Sequence, residues 1–435
     1  MAAAGGSWGR YPRAKQRLIA LSDRQAPLPR FNGTALPHGN GRSYGDSCLN
    51  PGGSLLLGRG LDRHIDFDPE SGIVECEAGM LLSDLLDLVV PQGWFVPVTP
   101  GTRLVTLGGA VANDVHGKNH HVAGSFGRHV LGLELLRSDG QRLSCGPDSA
   151  ADWFAATVGG LGLTGLITRV RLQLRRIRGP WLHTQTQRFE RLQDFFALSA
   201  QSASSEYTVA WIDCLARGSS LGRGVFMQAD HATALPDRRQ HPGHRRLAMP
   251  FSLPFSLVNR LSLRAFNTLY FHRAPRRPRQ CTVHYEPFFY PLDAVADWNR
   301  MYGPRGFLQY QCVMPPANAP ATIAELLERI AASRQGSFLV VLKQFGSLPS
   351  PGMLSFPRQG TTLALDFPFL GKQTLDLLSR LDGIVATAGG AVYPAKDARM
   401  SARMFAASFP RWREFLPFVD PRFSSGLWRR VMGDE

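Results

Sequence analysis

The sequence has 435 residues, of which 44% are hydrophobic and 19% charged, as is typical of a folded globular protein with a sizeable core. This length favours two domains over one. No apolar run reaches the roughly 18 residues of a membrane-spanning helix, and the first residues lack the apolar region of a secretory signal. We therefore expect a protein on the cytoplasmic side of the membrane, without a transmembrane segment.

The cysteines give no sign of a disulfide framework or a metal site. Six are scattered along the chain, without a CxxC pair or the spacing of zinc ligands. We interpret them as free thiols in a reducing compartment.

The basic residues are unevenly divided between two side chains. The formal net charge is +15, and of the 49 basic residues five are lysine and the other 44 arginine. An ammonium group can lose its proton and act as a base, whereas a guanidinium cannot. The few lysines are therefore informative, and Lys118, Lys343 and Lys396 lie in segments with other features of a binding site.

Residues 238–279 form a basic segment with ten arginines and no acidic residue, interrupted by apolar stretches. Three interpretations stay open. The segment is a solvated loop, or a surface that rests on anionic lipid head groups, or a nucleic-acid contact, which is disfavoured because no recognition motif accompanies it.

Hydrophobic periodicity predicts an α+β chain. In the first part, strands are predicted at 54–57, 64–67, 72–77, 129–136, 142–145 and 166–174, with helices at 81–90 and 152–157. Beyond residue 175, strands are predicted at 208–212, 224–228, 282–290, 306–314, 337–344 and 361–367, with helices at 192–202, 320–334 and 375–388. An extended piece is predicted at 94–102, and residues 398–435 are predicted to be helical.

Three glycine-rich loops are candidates for contact with a phosphorylated cofactor: 39–46, 100–117 and 159–165. In the first, GNGRSYGD, the glycines permit positive φ, and successive backbone N–H groups can form an anion-binding nest. The pattern is not a GxGxxG between a strand and a helix, so a Rossmann unit is excluded.

The stretch at 105–127, VTLGGAVANDVHGKNHHVAGSFG, combines five glycines with three histidines and Lys118. No long apolar face fits a helical or a strand period here. One interpretation is backbone pressed against a flat or phosphorylated group; the other is a tight loop with surface histidines.

Nine stretches in one order carry a family resemblance: WGR at 8–10, GNGRSYGD at 39–46, PGT at 100–102, the stretch at 105–127, ATVGGLGLTGLI at 156–167, YGPRGFLQYQ at 302–311, the Lys343 segment, ALDFP at 364–368 and YPAKD at 393–397. The sequence resembles FAD-dependent oxidoreductases of the vanillyl-alcohol-oxidase and p-cresol-methylhydroxylase superfamily, and within it the decaprenylphosphoryl-β-D-ribose 2-oxidase family. The resemblance implies an FAD-binding domain at 1–175, completed by 395–435. It also implies a substrate domain built on an antiparallel sheet at 176–394, with the basic segment 238–279 inserted.

The resemblance also implies functional residues. The residues expected at the cofactor are Gly39, Asn40, Gly41, Arg42, Ser43, Tyr44, Gly45, Asp46, Gly101, Thr102, Thr106, Gly108, Gly109, Asn113, His116, Gly117, Ile167 and Tyr393. Those expected at the substrate are Tyr44, Lys118, Gln309, Gln311, Lys343, Asp366 and Lys396. Catalytic roles are expected for Lys396, His116 and Lys343, with Lys396 favoured as the base over the alternative that it is a charge partner of the phosphate or of flavin N1. We expect His120 and His121 to serve packing, and Asp366 to orient a neighbour.

Two positions depart from the family pattern. Related sugar oxidases often carry a histidine bonded covalently to FAD in the first loop; this chain has Arg42, so we expect non-covalent FAD. The mycobacterial enzymes have a cysteine in the strand ending DFP, where this chain has Ala364, which affects the prediction of the exact substrate.

The implied reaction is oxidation of the C2 hydroxyl of a polyprenylphosphoryl-β-D-ribose to the 2-keto sugar, with the flavin as redox group. This would be the first half of an epimerisation that makes an arabinose donor for cell-envelope polysaccharide. The implied partners are a short-chain reductase and the inner face of the membrane, without nucleic acid. The alternatives are a soluble sugar-alcohol or aldonolactone oxidase, and a non-enzymatic membrane-surface protein with a vestigial flavin fold.

Overall fold

The computed structural model describes residues 5–233 and 247–433. The part of the basic segment at 238–246 lies outside the described residues, while 247–279 lies within them. All six cysteines are described, and all are free thiols, as the sequence predicts.

The amino-terminal part of the chain contains ten strands around two sheets. They are β1 (Arg17–Ala20), β2 (Ala35–His38), β3 (Ser54–Leu57), β4 (His64–Asp68), β5 (Ile73–Glu77), β6 (Trp94–Phe95), β7 (Val130–Leu136), β8 (Arg142–Cys145), β9 (Leu166–Gln173) and β10 (Arg175–Arg176). A parallel sheet has the order β1-β3-β2, an antiparallel sheet has the order β4-β5-β9-β7-β8, and β6 pairs with β10. Four short helices accompany them: α1 (Leu82–Val89), α2 (Leu107–Ala112), α3 (His120–Ala123) and α4 (Ala151–Thr157).

The second part is organised around one large sheet. Its strands are β11 (Trp181–Phe189), β12 (Tyr207–Ile212), β13 (Gly224–His231), β14 (Leu247–Ala248), β15 (Arg279–His284), β16 (Val295–Ala296), β17 (Phe307–Met314), β18 (Val340–Phe345), β19 (Gly360–Pro368) and β20 (Ala391–Val392). Eight of them form an antiparallel sheet in the order β15-β11-β13-β12-β18-β19-β17-β20, while β14 pairs with β16. The helices of this part are α5 (Leu192–Gln201), α6 (Arg260–Arg273), α7 (Tyr285–Phe289), α8 (Ala319–Ser333) and α9 (Lys372–Thr387).

The two faces of the large sheet have different neighbours because side chains alternate along each strand. In β17, Tyr310 and Cys312 belong to the main apolar core, which also contains Leu326 of α8 and Leu377 of α9. Gln309 and Gln311 point the opposite way and line a cavity. The sheet therefore separates a hydrophobic core from a polar site.

The carboxyl-terminal residues return to the amino-terminal part. They contain α10 (Ala402–Ser408), α11 (Trp412–Phe415) and α12 (Gly426–Met432). Tyr44 N donates to Ala395 O at 2.9 Å, and Arg430 forms an ion pair with Asp46 at 2.6 Å. These contacts attach the first glycine loop to the end of the chain.

The α+β fold class is confirmed by this mixture of helices with a large antiparallel sheet. Most predicted elements are present with shifted ends; for example, the strand predicted at 337–344 begins at Val340. Across residues 5–233 and 247–433, no helix combines the length and the apolar content needed to cross a bilayer.

Three local predictions were wrong. The strand predicted at 282–290 ends at His284 and is followed by helix α7, because the His284 side chain accepts the Glu286 N–H and caps the helix. The stretch at 105–127 contains α2, which Thr106 caps by accepting the Gly109 N–H at 3.1 Å. In the piece predicted to be extended at 94–102, only Trp94–Phe95 forms a strand.

Replacing Gly45 should disrupt the joint between the first glycine loop and the end of the chain. A Cβ atom at Gly45 would lie 1.8 Å from the Asp397 carbonyl oxygen, so backbone must move. We expect Gly45→Ala to lower the melting temperature and to weaken flavin retention, as measured by thermal unfolding and by flavin absorbance after gel filtration.

The matched control is Gly383→Ala, at an exposed position inside α9 where an added Cβ meets no atom within 4 Å. Alanine there should raise stability by about 0.5–1 kcal/mol. Equal melting temperatures for Gly45→Ala and the unmodified protein would contradict the proposed tight joint.

Candidate active site

A cavity of about 440 Å³ lies between the amino-terminal sheets and the large antiparallel sheet. All three predicted glycine loops contribute to its wall, the third through Leu161, Gly162 and Gly165. The opposite wall comes from β12, β13, β17 and β18 and from helices α6 and α7.

Most residues predicted at the cofactor line this cavity. They are Gly39, Asn40, Gly41, Arg42, Ser43, Tyr44, Gly101, Thr102, Thr106, Gly108, Gly109, Asn113, His116, Gly117, Ile167 and Tyr393. Gly45 and Asp46 do not line it, because they face the carboxyl-terminal residues Asp397 and Arg430. These two predicted cofactor residues therefore belong to the support of the loop.

Hydrogen bonds between the loops fix the shape of the cavity. Asn40 Nδ2 donates to Leu104 O at 2.7 Å, which joins the first loop to the second. Thr102 Oγ1 donates to Asp293 at 2.7 Å. At the other end of the second loop, Tyr393 Oη donates to Asn113 O at 2.8 Å. The cavity wall is thus held by contacts from distant parts of the chain.

The wall fits a long, flat, anionic group such as FAD. Gly41 has a φ of +62°, and a Cβ atom at Gly39 would lie 2.4 Å from Thr106 Oγ1, so the backbone of the first loop approaches its neighbours closely. Among the described residues, buried Arg42 Nε and Ser47 Oγ have no hydrogen-bond partner, although both residues line the cavity. Buried polar atoms are normally satisfied, so these donors indicate a ligand acceptor.

Arg42 is the residue from which the sequence predicts non-covalent FAD, and its guanidinium lies 4.1 Å from the centre of the Trp8 ring. A guanidinium keeps its charge and is a poor nucleophile. Non-covalent binding of FAD stays a prediction.

Three lysines meet at one end of the cavity. Desolvation by burial lowers the pKa of Lys118 to about 7. The pKa of Lys343 is also lowered to about 7, first by burial and then by the charges of Lys118 and Lys396. Burial lowers the pKa of Lys396 to about 8, against the opposing effect of the Asp366 carboxylate. This end of the cavity therefore favours an anionic ligand.

His116 is held on both sides of its ring. Gln311 Nε2 donates to His116 Nε2 at 2.8 Å, and His116 Nδ1 lies 3.2 Å from Lys343 Nζ. Lys343 Nζ also donates to Gly117 O at 3.1 Å. Burial and the Lys343 charge lower the pKa of His116 well below its usual value, so the ring is neutral. His116 therefore orients the lysine and the amide beside it.

Lys396 has different surroundings. Its Nζ lies 4.0 Å from the centre of the Tyr44 ring, and no group among residues 5–233 and 247–433 forms a hydrogen bond with it. Lys118 Nζ, by contrast, donates to the Phe288 carbonyl oxygen. Of the three lysine nitrogens, that of Lys396 is the one without a hydrogen bond to a described residue, so its full hydrogen-bonding capacity is available to a ligand.

Asp366 is the predicted substrate residue that does not line the cavity. It is buried, and burial raises its pKa to about 7. Gln309 Nε2 donates to Asp366 Oδ1 at 2.6 Å, so the carboxyl group contacts the cavity through Gln309, and its orienting role stays a prediction. Ala364, two residues earlier on β19, does line the cavity.

His120 and His121 lie behind the site. His120 accepts the Gly346 N–H at 3.2 Å and its ring centre is 4.4 Å from that of Phe345. His121 Nε2 lies 2.9 Å from Ser205 O. Neither histidine lines the cavity.

Sequence reasoning missed the apolar wall of the cavity. Its members are Val209, Trp211, Met227, Tyr270, Leu339 and Val341. All six residues of β12 are buried, so the spacing of Val209 and Trp211 gives no signal that separates the cavity face of this strand from its core face.

Comparison with known proteins agrees with this geometry. A family model described as an FAD binding domain matches residues 28–146. The chain is 34% identical to decaprenylphosphoryl-β-D-ribose oxidase of Mycolicibacterium smegmatis, over 98% of this chain and 96% of that protein. It is 39% identical to an uncharacterised Streptomyces coelicolor protein from the mprA 5′ region, over 80% of this chain and 99% of that protein. Mouse L-gulonolactone oxidase is 33% identical over 31% of this chain and 30% of its own length.

The stability of the flavin-free protein should depend on pH through the buried lysines. A lysine has a pKa near 10.5 when unfolded, and those of Lys118 and Lys343 are about 7 when folded. Between these values the unfolded chain binds more protons, so stability rises with pH. We expect Lys343→Met to reduce this rise by about 1.4 kcal/mol per pH unit, measured by denaturant unfolding between about pH 7.5 and 9.5.

Lys372→Met is the control, because Lys372 is an exposed lysine of α9 paired with Asp376. It should leave the slope unchanged. A Lys343→Met slope equal to that of the unmodified protein would mean that Lys343 is charged in the folded state.

Proposed function

The chain belongs to the decaprenylphosphoryl-β-D-ribose oxidase family of FAD-dependent oxidoreductases, and from this premise we propose its reaction. It oxidises the C2 hydroxyl of a polyprenylphosphoryl-β-D-ribose to the 2-keto sugar. The observation that carries the proposal is the group of three desolvated lysines beside Gln309 and Gln311 at one end of the cavity.

Each polar residue at this end has a role that suits a phosphorylated sugar. A phosphate bound beside Lys118 and Lys343 raises the pKa values that burial lowers, so both lysines provide positive charge in the complex, where the carbonyl oxygens of Phe288 and Gly117 hold them in place. The amides of Gln309 and Gln311 are positioned to meet sugar hydroxyl groups. Asp366 keeps Gln309 in place.

Lys396 is the proton acceptor in this proposal. The C2 O–H bond breaks, and the proton passes to Lys396 Nζ. A pKa near 8 lets the neutral amine form at physiological pH, and this nitrogen has no hydrogen bond to another described residue. His116 and Lys343 position the substrate, because both His116 ring nitrogens and Lys343 Nζ are already engaged. Bound FAD, held by loops 39–46 and 100–117, would supply the hydride acceptor.

The proposal places the enzyme in a two-step epimerisation. The 2-keto product needs reduction from the opposite face by a second enzyme, for which a short-chain reductase is the partner. The product of both steps is an arabinose donor for cell-envelope polysaccharide. A soluble sugar-alcohol or aldonolactone oxidase is the alternative for the same fold.

The substrate requires the enzyme to reach the inner face of the membrane, and the basic segment suits this contact. Six arginines between residues 247 and 279 are all exposed, and no acidic residue occurs there. On α6, Leu261 is 80% and Leu269 70% exposed. A basic surface with exposed apolar side chains is typical of proteins that bind anionic bilayers.

The reaction can be tested by recording the flavin spectrum under anaerobic conditions. We expect a polyprenylphosphoryl ribose to bleach the visible flavin band, whereas free pentitols and aldonolactones leave it unchanged. Lys396→Met should slow this bleaching about 100-fold or more, because a positioned base contributes about that factor. Lys372→Met, at the protein surface, should react normally.

Bleaching by the soluble sugars alone would favour the alternative function. A normal rate for Lys396→Met would exclude Lys396 as the base while leaving the substrate assignment intact.

The membrane contact can be tested by sedimentation with anionic vesicles. Deleting the segment is unsuitable, because Leu263 and Phe271 of α6 are buried in the protein. The double variant Leu261→Glu with Leu269→Glu should reduce vesicle binding about tenfold, since it removes two apolar side chains from the interface. Leu370→Glu changes an exposed leucine outside the segment and should bind as the unmodified protein does. Unchanged binding by the double variant would contradict the proposed contact.

A further inference from the structure

The apolar wall of the cavity lies on one face of three adjacent strands. Val209 of β12 is paired in register with Met227 of β13, and Trp211 of β12 with Val341 of β18. Paired residues on neighbouring strands point to the same face. These four side chains therefore form a continuous apolar surface.

This surface begins directly beside the charged end of the cavity. Val341 and Lys343 are two residues apart on β18, so they share a face at a separation of roughly 6.6 Å. Leu339 lies two residues further from Lys343 and also lines the cavity. Along this line the wall changes from an ammonium group to aliphatic side chains.

The same surface continues to the outside of the protein along α6. Trp211 is fixed by its Nε1 donating to Phe338 O at 2.8 Å, and its ring centre lies 4.7 Å from that of Tyr270. The Tyr270 ring stacks on Phe266 with centres 5.7 Å apart. Tyr270 is 36% and Phe266 39% exposed, so these rings reach solvent.

The outer end of the wall adjoins the exposed apolar face of α6. Leu269 precedes Tyr270, and arginines 264 and 273 flank both on the same helix. From inside to outside, the wall therefore changes from lysine side chains to apolar and aromatic side chains, and then to exposed apolar side chains that lie among arginines. A ligand that follows it needs an anionic head, a long apolar chain and an exit at an anionic lipid surface.

We propose that Val209, Trp211, Met227, Val341, Leu339 and Tyr270 form the subsite for the isoprenoid chain of the substrate, and that the chain leaves the protein between Tyr270 and the start of β18. This inference rests on the proposed function and adds the position of the lipid chain in the protein. The sugar phosphate occupies the lysine end, and the chain passes from the cavity into the bilayer along α6.

The test compares two substrates that differ only in chain length: a decaprenylphosphoryl ribose and an analogue with one isoprene unit. Both are presented in neutral detergent micelles, so that binding to vesicles does not contribute. Tyr270→Asp puts a charge on the wall at a partly exposed helix position. We expect it to raise KM for the long-chain substrate about tenfold, as expected for loss of an apolar contact, with kcat unchanged. For the short-chain substrate, both constants should stay within about twofold.

Leu370→Asp puts the same charge on an exposed leucine outside the wall and should behave as the unmodified protein with both substrates. As a second readout, a long-chain analogue with a photoreactive group in its first isoprene units should label peptides from β12, β18 or α6. Equal losses for the two substrates in Tyr270→Asp, or labelling confined to other peptides, would overturn the subsite. If the unmodified enzyme oxidises neither substrate, the proposed function itself fails, which is a separate outcome.

Discussion

Burial of three lysine ammonium groups at one end of a cavity is the constraint on which the site depends. An ion that leaves water loses several kcal/mol of solvation, and the pKa values of Lys118 and Lys343 fall to about 7 in consequence. The groups of the protein that accept hydrogen bonds from them are neutral: the carbonyl oxygens of Phe288 and Gly117. Such partners do not cancel the charge of a protonated lysine, so an anionic ligand in the cavity raises the lysine pKa values and is bound by the charges that result.

The three lysines come from distant parts of the sequence, so the site forms only when the whole chain folds. Lys118 is fixed to the large sheet because Thr208 N donates to Lys118 O at 2.9 Å. Lys343 lies on β18 itself. Lys396 follows a turn in which its N–H donates to Tyr393 O at 3.0 Å. The carboxyl-terminal segment therefore has two functions, since it supplies Lys396 and supports the first glycine loop.

The sequence was enough to predict that Gln309 and Gln311 share a face of β17. Side chains alternate between the two faces of a strand, so residues two apart lie on the same face. The glycine loops were also recognisable, since clustered glycines permit close backbone approach. The lysines were recognisable because they are rare in a chain that otherwise uses arginine. The strand predicted at 282–290 failed because its aromatic composition favours a strand, whereas the cap at His284 starts a helix. That cap depends on backbone geometry that composition does not specify.

The apolar wall was beyond sequence reasoning for a different reason. Every residue of β12 is buried, so its sequence does not show which face of the strand meets the core and which face meets the cavity. Tyr270 reaches Trp211 only through the packing of α6, a contact between segments almost 60 residues apart in the chain. Which buried side chains line the cavity is therefore decided by the tertiary structure alone.

The separation of charge from apolar surface inside one cavity limits the kinds of ligand that can satisfy it. A small soluble sugar could meet the amides of Gln309 and Gln311 and the lysines, but it would leave Trp211, Val341 and Leu339 in contact with water. Exposed apolar surface costs roughly 25 cal/mol per Å², and a ligand that covers it recovers that free energy. In the proposed complex, a lipid-linked sugar phosphate covers both ends at once, with its anionic head in the desolvated pocket and its chain against the wall. Lys343 and Val341 of β18 and Leu339 just before this strand follow one another in the order of the groups of such a ligand, and this correspondence supports the proposal of an amphiphile over a soluble sugar.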